Sequence, residues 1–118
     1  MSRILVIDDE QIVLDVMVEI LRSAGHEADG VVSFECALSL LQETDYALVV
    51  SDIVMPGHSG LDVLERIHAL LPSLPVVLVT ALGAREDRER GLDAGANAYI
   101  VKGSFDQGDL LDAVRRLA

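Results

Sequence analysis

Short apolar runs recur along the chain, and the strong ones end on a polar residue. Arg3–Ile7 (RILVI), Ala47–Ser51 (ALVVS), Val76–Thr80 (VVLVT) and Ala98–Lys102 (AYIVK) show no alternation of apolar and polar positions. That is the pattern of strands buried on both faces. A weaker run, Ala28–Val32, is broken by Gly30. Between the runs lie stretches with helical spacing, over about 10–24, 34–43, 59–70, 84–94 and 106–117. Phe34, Ala37, Leu38 and Leu41 fall on one helical face, and Leu110, Leu111, Val114 and Leu117 on another. No linker, low-complexity tract or charge block interrupts the alternation, so residues 1–118 are expected to form one domain. Strand–helix repeats of this kind predict right-handed crossovers and an α/β fold, a doubly wound parallel sheet between two helical layers.

In such a sheet the site lies beyond the carboxyl ends of the strands. The residues at those ends are Asp8 and Asp9, Asp52, Thr80 and Lys102. Three carboxylates converging in one crevice repel one another unless a cation is shared. Carboxylate oxygens suit Mg²⁺, which keeps waters and phosphate oxygens in its remaining positions. Mg²⁺, the Thr80 hydroxyl and the Lys102 ammonium make up a set able to neutralise the equatorial oxygens of a phosphoryl group in transfer. An Asp carboxylate can then act as the nucleophile and form an acyl phosphate. Asp52 is the best candidate. It stands alone at its strand end, before a turn at Met55-Pro56-Gly57 that leaves it open to a donor. Asp8 and Asp9 are adjacent, so their side chains diverge, and one can ligate directly while the other acts through water.

Composition narrows the partners. The net charge is −11 over 118 residues, which argues against direct nucleic-acid binding. Aromatic residues are only 3% of the chain, so the core must be built from Val, Leu, Ile and Ala. A lone cysteine, Cys36, cannot form an internal disulfide. No apolar run approaches the roughly 20 residues of a membrane span, and the N-terminus has no cleavage-type signal. A cytoplasmic location is expected, with no membrane partner.

Taken together, ILVIDDE at 4–10, SDIVMPGHSG at 51–60, VVLVTA at 76–81 and GANAYIVK at 95–102 resemble the receiver domain of two-component response regulators, chemotaxis regulators included. The likeness covers nearly the whole chain. It implies a flavodoxin-like (βα)5 fold with strand order 2-1-3-4-5. It also implies Asp52 as phosphoacceptor, Asp9 as direct metal ligand, Asp8 as a ligand acting mainly through water, and the Val54 carbonyl as a further ligand. Thr80 becomes the switch hydroxyl, Lys102 the phosphate-pairing lysine, and Tyr99 the aromatic whose rotamer follows Thr80. Ala81 would leave the phosphoryl pocket open. Asp52, Thr80 and Lys102 are thus the expected catalytic residues. The donor would be a histidine kinase or a histidine phosphotransfer protein. Output would emerge on the surface of the predicted helix 84–94, strand 98–102 and helix 106–117, where a phosphorylation-dependent homodimer could also form.

One position departs from the family. Gly103 follows Lys102 where receivers carry a proline after a cis peptide. A cis bond before a non-proline costs about 2.5–4 kcal/mol, so either a trans bond or a strained cis bond is expected.

The first predicted helix offers a partner surface. Ile12, Val13, Leu14, Val16, Met17, Val18, Ile20 and Leu21 sweep roughly 240° of its circumference, more than a sheet and one neighbouring helix need cover. Ile12, Val13 and Val16 lie nearest Asp9 and are expected to dock the phosphodonor, as the resemblance also suggests; the alternative is added burial against the last helix. The segment 84–94 is the opposite case, with Arg85, Glu86, Asp87, Arg88, Glu89 and Arg90 in sequence and Gly91 weakening it. Two rival functions could use the same residues. An aspartyl-phosphate phosphatase commonly has a second acid two residues after its nucleophile; here that residue is Val54, so turnover and autodephosphorylation should be slow. A phosphorylation-independent interaction module would not need all five of Asp8, Asp9, Asp52, Thr80 and Lys102.

Overall fold

The computed structural model describes residues 3–52, 54–55, 58–80, 95–101 and 107–117. Strands β1 (Arg3–Ile7), β2 (Glu27–Val31), β3 (Leu48–Asp52), β4 (Val76–Thr80) and β5 (Ala98–Val101) pair in parallel in the order β2-β1-β3-β4-β5. Helices α1 (Gln11–Ser23), α2 (Phe34–Glu43), α3 (Gly60–Leu70) and the C-terminal α4 (Gln107–Leu117) flank the sheet. The fold class and the strand order are those expected. The predicted helix over 84–94 lies outside the described residues.

Alternation along the strands divides the core in two. Leu5, Ile7, Val49, Val76, Leu78 and Tyr99 face Phe34, Ala37 and Leu41 of α2 and Val63, Leu64 and Ile67 of α3. Ile4, Val6, Val50, Val77, Val79 and Ile100 face Leu14, Met17, Val18 and Leu21 of α1 and Leu110, Ala113 and Val114 of α4. Burial on both faces is what made the runs apolar throughout. Among the described residues the core is mostly aliphatic, as expected, but Phe34, Tyr99 and Met17 also join it.

The weak run at 28–32 is a true strand, shifted one residue earlier, and Gly30 explains its appearance. A Cβ on Gly30 would stand 2.9 Å from both Leu14 Cδ1 and Val18 Cγ2. The residue that interrupts the pattern is the one that lets α1 lie close on the sheet. Helix α1 then stops at Gly25, whose φ of +94° is one that L side chains rarely adopt. His26 N–H donates to Leu21 O (3.1 Å) and Gly25 N–H to Arg22 O (3.0 Å), a Schellman end. Helix α2 begins with Ser33, whose hydroxyl accepts from Cys36 N–H at 3.3 Å.

Two strand ends differ from expectation. Asp52 is the last residue of β3 rather than the residue after it, because the ladder to β4 continues to the Asp52–Val79 pair. Beyond it, Val54–Met55 pairs antiparallel with His58–Ser59.

Candidate functional site at the carboxyl ends of the strands

The loop from β1 into α1 is organised by the first of its acids. Asp8 is fully buried, its N–H donates to Val31 O of β2 (3.1 Å), and its Oδ1 accepts from Glu10 N–H at 2.9 Å. Glu10 is the N-cap residue of α1 but makes no side-chain cap of its own. Asp8 therefore fastens the entry to the helix while turning its carboxylate inward. Asp9, the next residue, is exposed. The adjacent acids differ in exposure, one buried and one solvent-facing, but they do not diverge as expected, since each places a carboxylate oxygen in the same cluster.

Asp52 reaches the same place from the central strand β3, next to β1. It is only 3% exposed, so the open carboxylate expected from the following turn is not found. The reason is its position as the last rung of a strand covered on both sides. Asp8, Asp9, Glu10 and Asp52 each offer a carboxylate oxygen, and those oxygens lie within 4.8 Å of one another. At that spacing two unit charges repel by roughly 3 kcal/mol at an effective dielectric near 20. A shared cation would relieve that repulsion, and a set of hard carboxylate oxygen donors is the kind that Mg²⁺ takes. The residues present fit that ion.

Glu10 is the member not singled out from the sequence. Its signal was the third acid of the Asp8-Asp9-Glu10 run, which looked like an ordinary helix start.

The other expected site residues fall as follows. Thr80 ends β4 and pairs in register with Val101 of β5, so its backbone stands at the same edge of the sheet as Asp52. Val54 opens the antiparallel pair two residues past Asp52. Tyr99 is 7% exposed and packs in the α2–α3 side of the core. Lys102, Ala81 and the Lys102–Gly103 peptide lie outside the described residues. On α1, Ile12 is 81% exposed and Val16 48% exposed, whereas Val13 is half-buried against the α4 side of the core. The two explanations for the wide apolar arc therefore divide by residue. Val13 and Ile20 take the burial against the α1–α4 core, and Ile12 and Val16 remain on the surface.

Residues 4–115 match the family model described as "Response regulator receiver domain". The chain belongs to that family. It is 37% identical over 117 residues to response regulator protein FleR of Pseudomonas aeruginosa, covering 99% of this chain and 24% of that protein. It is 38% identical over 113 residues to transcriptional regulatory protein HprR of Escherichia coli, covering 96% of this chain and 50% of that protein. This receiver thus spans half or less of those two relatives. Among solved structures, it aligns over its full length with response regulator TrrA of Thermotoga maritima, solved in complex with Mg²⁺ and BeF, at 36% identity and a TM-score of 0.89. It also aligns with a CheY-like receiver domain from Methanospirillum hungatei at 31% identity and a TM-score of 0.89, covering 98% of this chain and 92% of the other. The relatives FleR and HprR are named as a response regulator and a transcriptional regulatory protein. Among the described residues no helix is long and apolar enough to cross a membrane.

Proposed function

We propose that this receiver is a phosphoryl-accepting switch in which Asp52 is the phosphoacceptor. The observation that carries the reading is the gathering of Asp8, Asp9, Glu10 and Asp52 at the carboxyl ends of β1 and β3. Asp8, Asp9 and Asp52, with the Val54 carbonyl, would hold Mg²⁺. The ion would supply positive charge to the phosphoryl oxygens and lower the repulsion that an approaching phosphate meets.

The remaining steps belong to the chain. The donor is a histidine kinase or a histidine phosphotransfer protein. An Asp52 oxygen attacks phosphorus in line as the phosphorus–nitrogen bond of the phosphohistidine breaks, and the imidazole leaves with its electron pair and takes a proton. Lys102 pairs with the new phosphate, and the Thr80 hydroxyl donates to one of its oxygens. Tyr99 follows Thr80, and the change is read on the surface around β5 and α4 as a shift between pre-existing populations. With Val54 where a phosphatase commonly has an acid, the acyl phosphate hydrolyses slowly, and the protein is a switch rather than a turnover enzyme. Ile12 and Val16, with Val13 beneath them, form the donor's docking surface. The acidic domain itself takes no nucleic acid.

Incubation with Mg²⁺ and acetyl phosphate, read by intact mass, tests the reading. Wild type should gain one phosphoryl group, and Asp52→Ala should gain none. An unmodified wild type, or modification that persists in Asp52→Ala, rejects it.

A further inference from the structure

One fully buried polar side chain next to the site is not used by this mechanism. Ser51 has no solvent exposure, and strand register places it between Ile7 of β1 and Leu78 of β4, with Tyr99 of β5 next in the row. All three neighbours belong to the apolar layer under α2 and α3. A hydroxyl in such a row is costly unless it is hydrogen-bonded. Its hydrogen bond runs forward along its own strand, with Ser51 Oγ donating to the Asp52 carbonyl oxygen at 3.0 Å.

That acceptor matters because of where it sits. The Asp52 carbonyl direction is set by rotation about the Asp52 Cα–C bond, and that rotation has two consequences. It limits which rotamers the Asp52 carboxylate can adopt. It also aims the chain toward Val54, which is held from its far side by the pairing with Ser59. A strand normally loses its ladder restraint at the last rung, and Asp52 is the last rung of β3.

We infer that Ser51 is a positioning residue for Asp52. Its buried hydroxyl pins the Asp52 carbonyl, and so holds the carboxylate ready for cation and phosphoryl group. The inference rests on Asp52 being the phosphoacceptor. It adds that the readiness of Asp52 is set from the opposite face of the sheet, by a residue that touches neither cation nor phosphate.

The test compares Ser51→Ala and Ser51→Cys with wild type; the Cys variant keeps the volume but is only a weak donor. Four quantities are read: Mg²⁺ affinity by calorimetry, the Asp52 carbonyl ¹³C resonance of the metal-free protein, thermal unfolding, and the rate of acetyl phosphate modification. Losing one net hydrogen bond of positioning should weaken Mg²⁺ binding about three- to tenfold in both variants and move the Asp52 carbonyl resonance. Acetyl phosphate modification at a fixed, sub-saturating Mg²⁺ concentration should slow by a similar factor. A purely structural hydroxyl would lower the unfolding temperature and leave Mg²⁺ affinity within about twofold of wild type, and that result overturns the role. A wild type that neither binds Mg²⁺ nor is modified overturns the function proposed above and the role with it. An active wild type matched by both variants overturns the role alone.

Discussion

The two ends of the sheet handle their acids in opposite ways. Toward the amino ends, at the β1–β2 edge, Asp29 is matched within the chain. Its Oδ2 accepts from Tyr46 OH at 2.7 Å and from Arg3 Nε at 3.1 Å. Glu27 adds a looser contact to Arg3 at 3.5 Å, and the Arg3 guanidinium lies 5.9 Å from the centre of the Tyr46 ring. The Tyr46 hydrogen bond, with Arg3 behind it, holds the Asp29 carboxyl below the usual carboxylate range, and burial beside Asp29 pushes the Tyr46 phenol up to about 12. At the carboxyl ends four acids converge with their oxygens within 4.8 Å. The first group is drawn together by opposite charge and hydrogen bonds; the second gathers hard oxygen donors where a shared cation would be favoured.

Metal addition should separate the two ends most strongly. Mg²⁺ at 100 times its dissociation constant should stabilise the wild type by about 2.7 kcal/mol in denaturant titration. Asp9→Asn should lose most of that gain, whereas Asp29→Asn should keep it. An equal Mg²⁺ response in Asp9→Asn would break the assignment of the site.

Removing the charge at the amino end should cost stability instead. Asp29→Asn gives up the Arg3 pair and weakens the Tyr46 bond, for about 1 kcal/mol, discounted because the group is partly exposed. Because the folded carboxyl titrates below its unfolded value, this stability is present above pH 4. It fades as pH falls through the folded value, so wild type and variant should converge in strong acid.

Tyr46→Phe should cost slightly less, and it has its own pH signature. The folded phenol titrates near 12 against 10.0 when unfolded, so the stability linked to it is complete below pH 10 and is lost between about 10 and 12. The variant should lack that alkaline loss, which equilibrium unfolding at several pH values would show.

Ile12→Lys should change stability least, within about 0.5 kcal/mol, because Ile12 is 81% exposed. It should slow phosphoryl transfer from the partner kinase while leaving acetyl phosphate modification intact. Equal loss of both would remove α1 as a docking surface.

The fold was legible because parallel strands covered on both faces must be apolar along their whole length, and helices on a sheet must carry an apolar stripe. Those periods alone give the α/β class, and the acids that follow the apolar runs mark the functional edge. What they did not give is instructive. Gly30 reads as a break until α1 is seen lying against it, since close approach is a property of two elements and not of one. Glu10 reads as a helix start until Asp8 turns the loop and brings it among the other acids. Asp52 reads as open because its exposure depends on neighbours in other strands. The sequence by itself marked the candidate site residues, because residue type and strand-end position are local facts. Only the tertiary structure decided how deeply Asp52 is buried, which of Asp8 and Asp9 faces solvent, and that Ser51 is bonded to the Asp52 backbone carbonyl. Burial and hydrogen-bond direction are set by what packs from elsewhere in the chain, and no periodicity within a single segment records them.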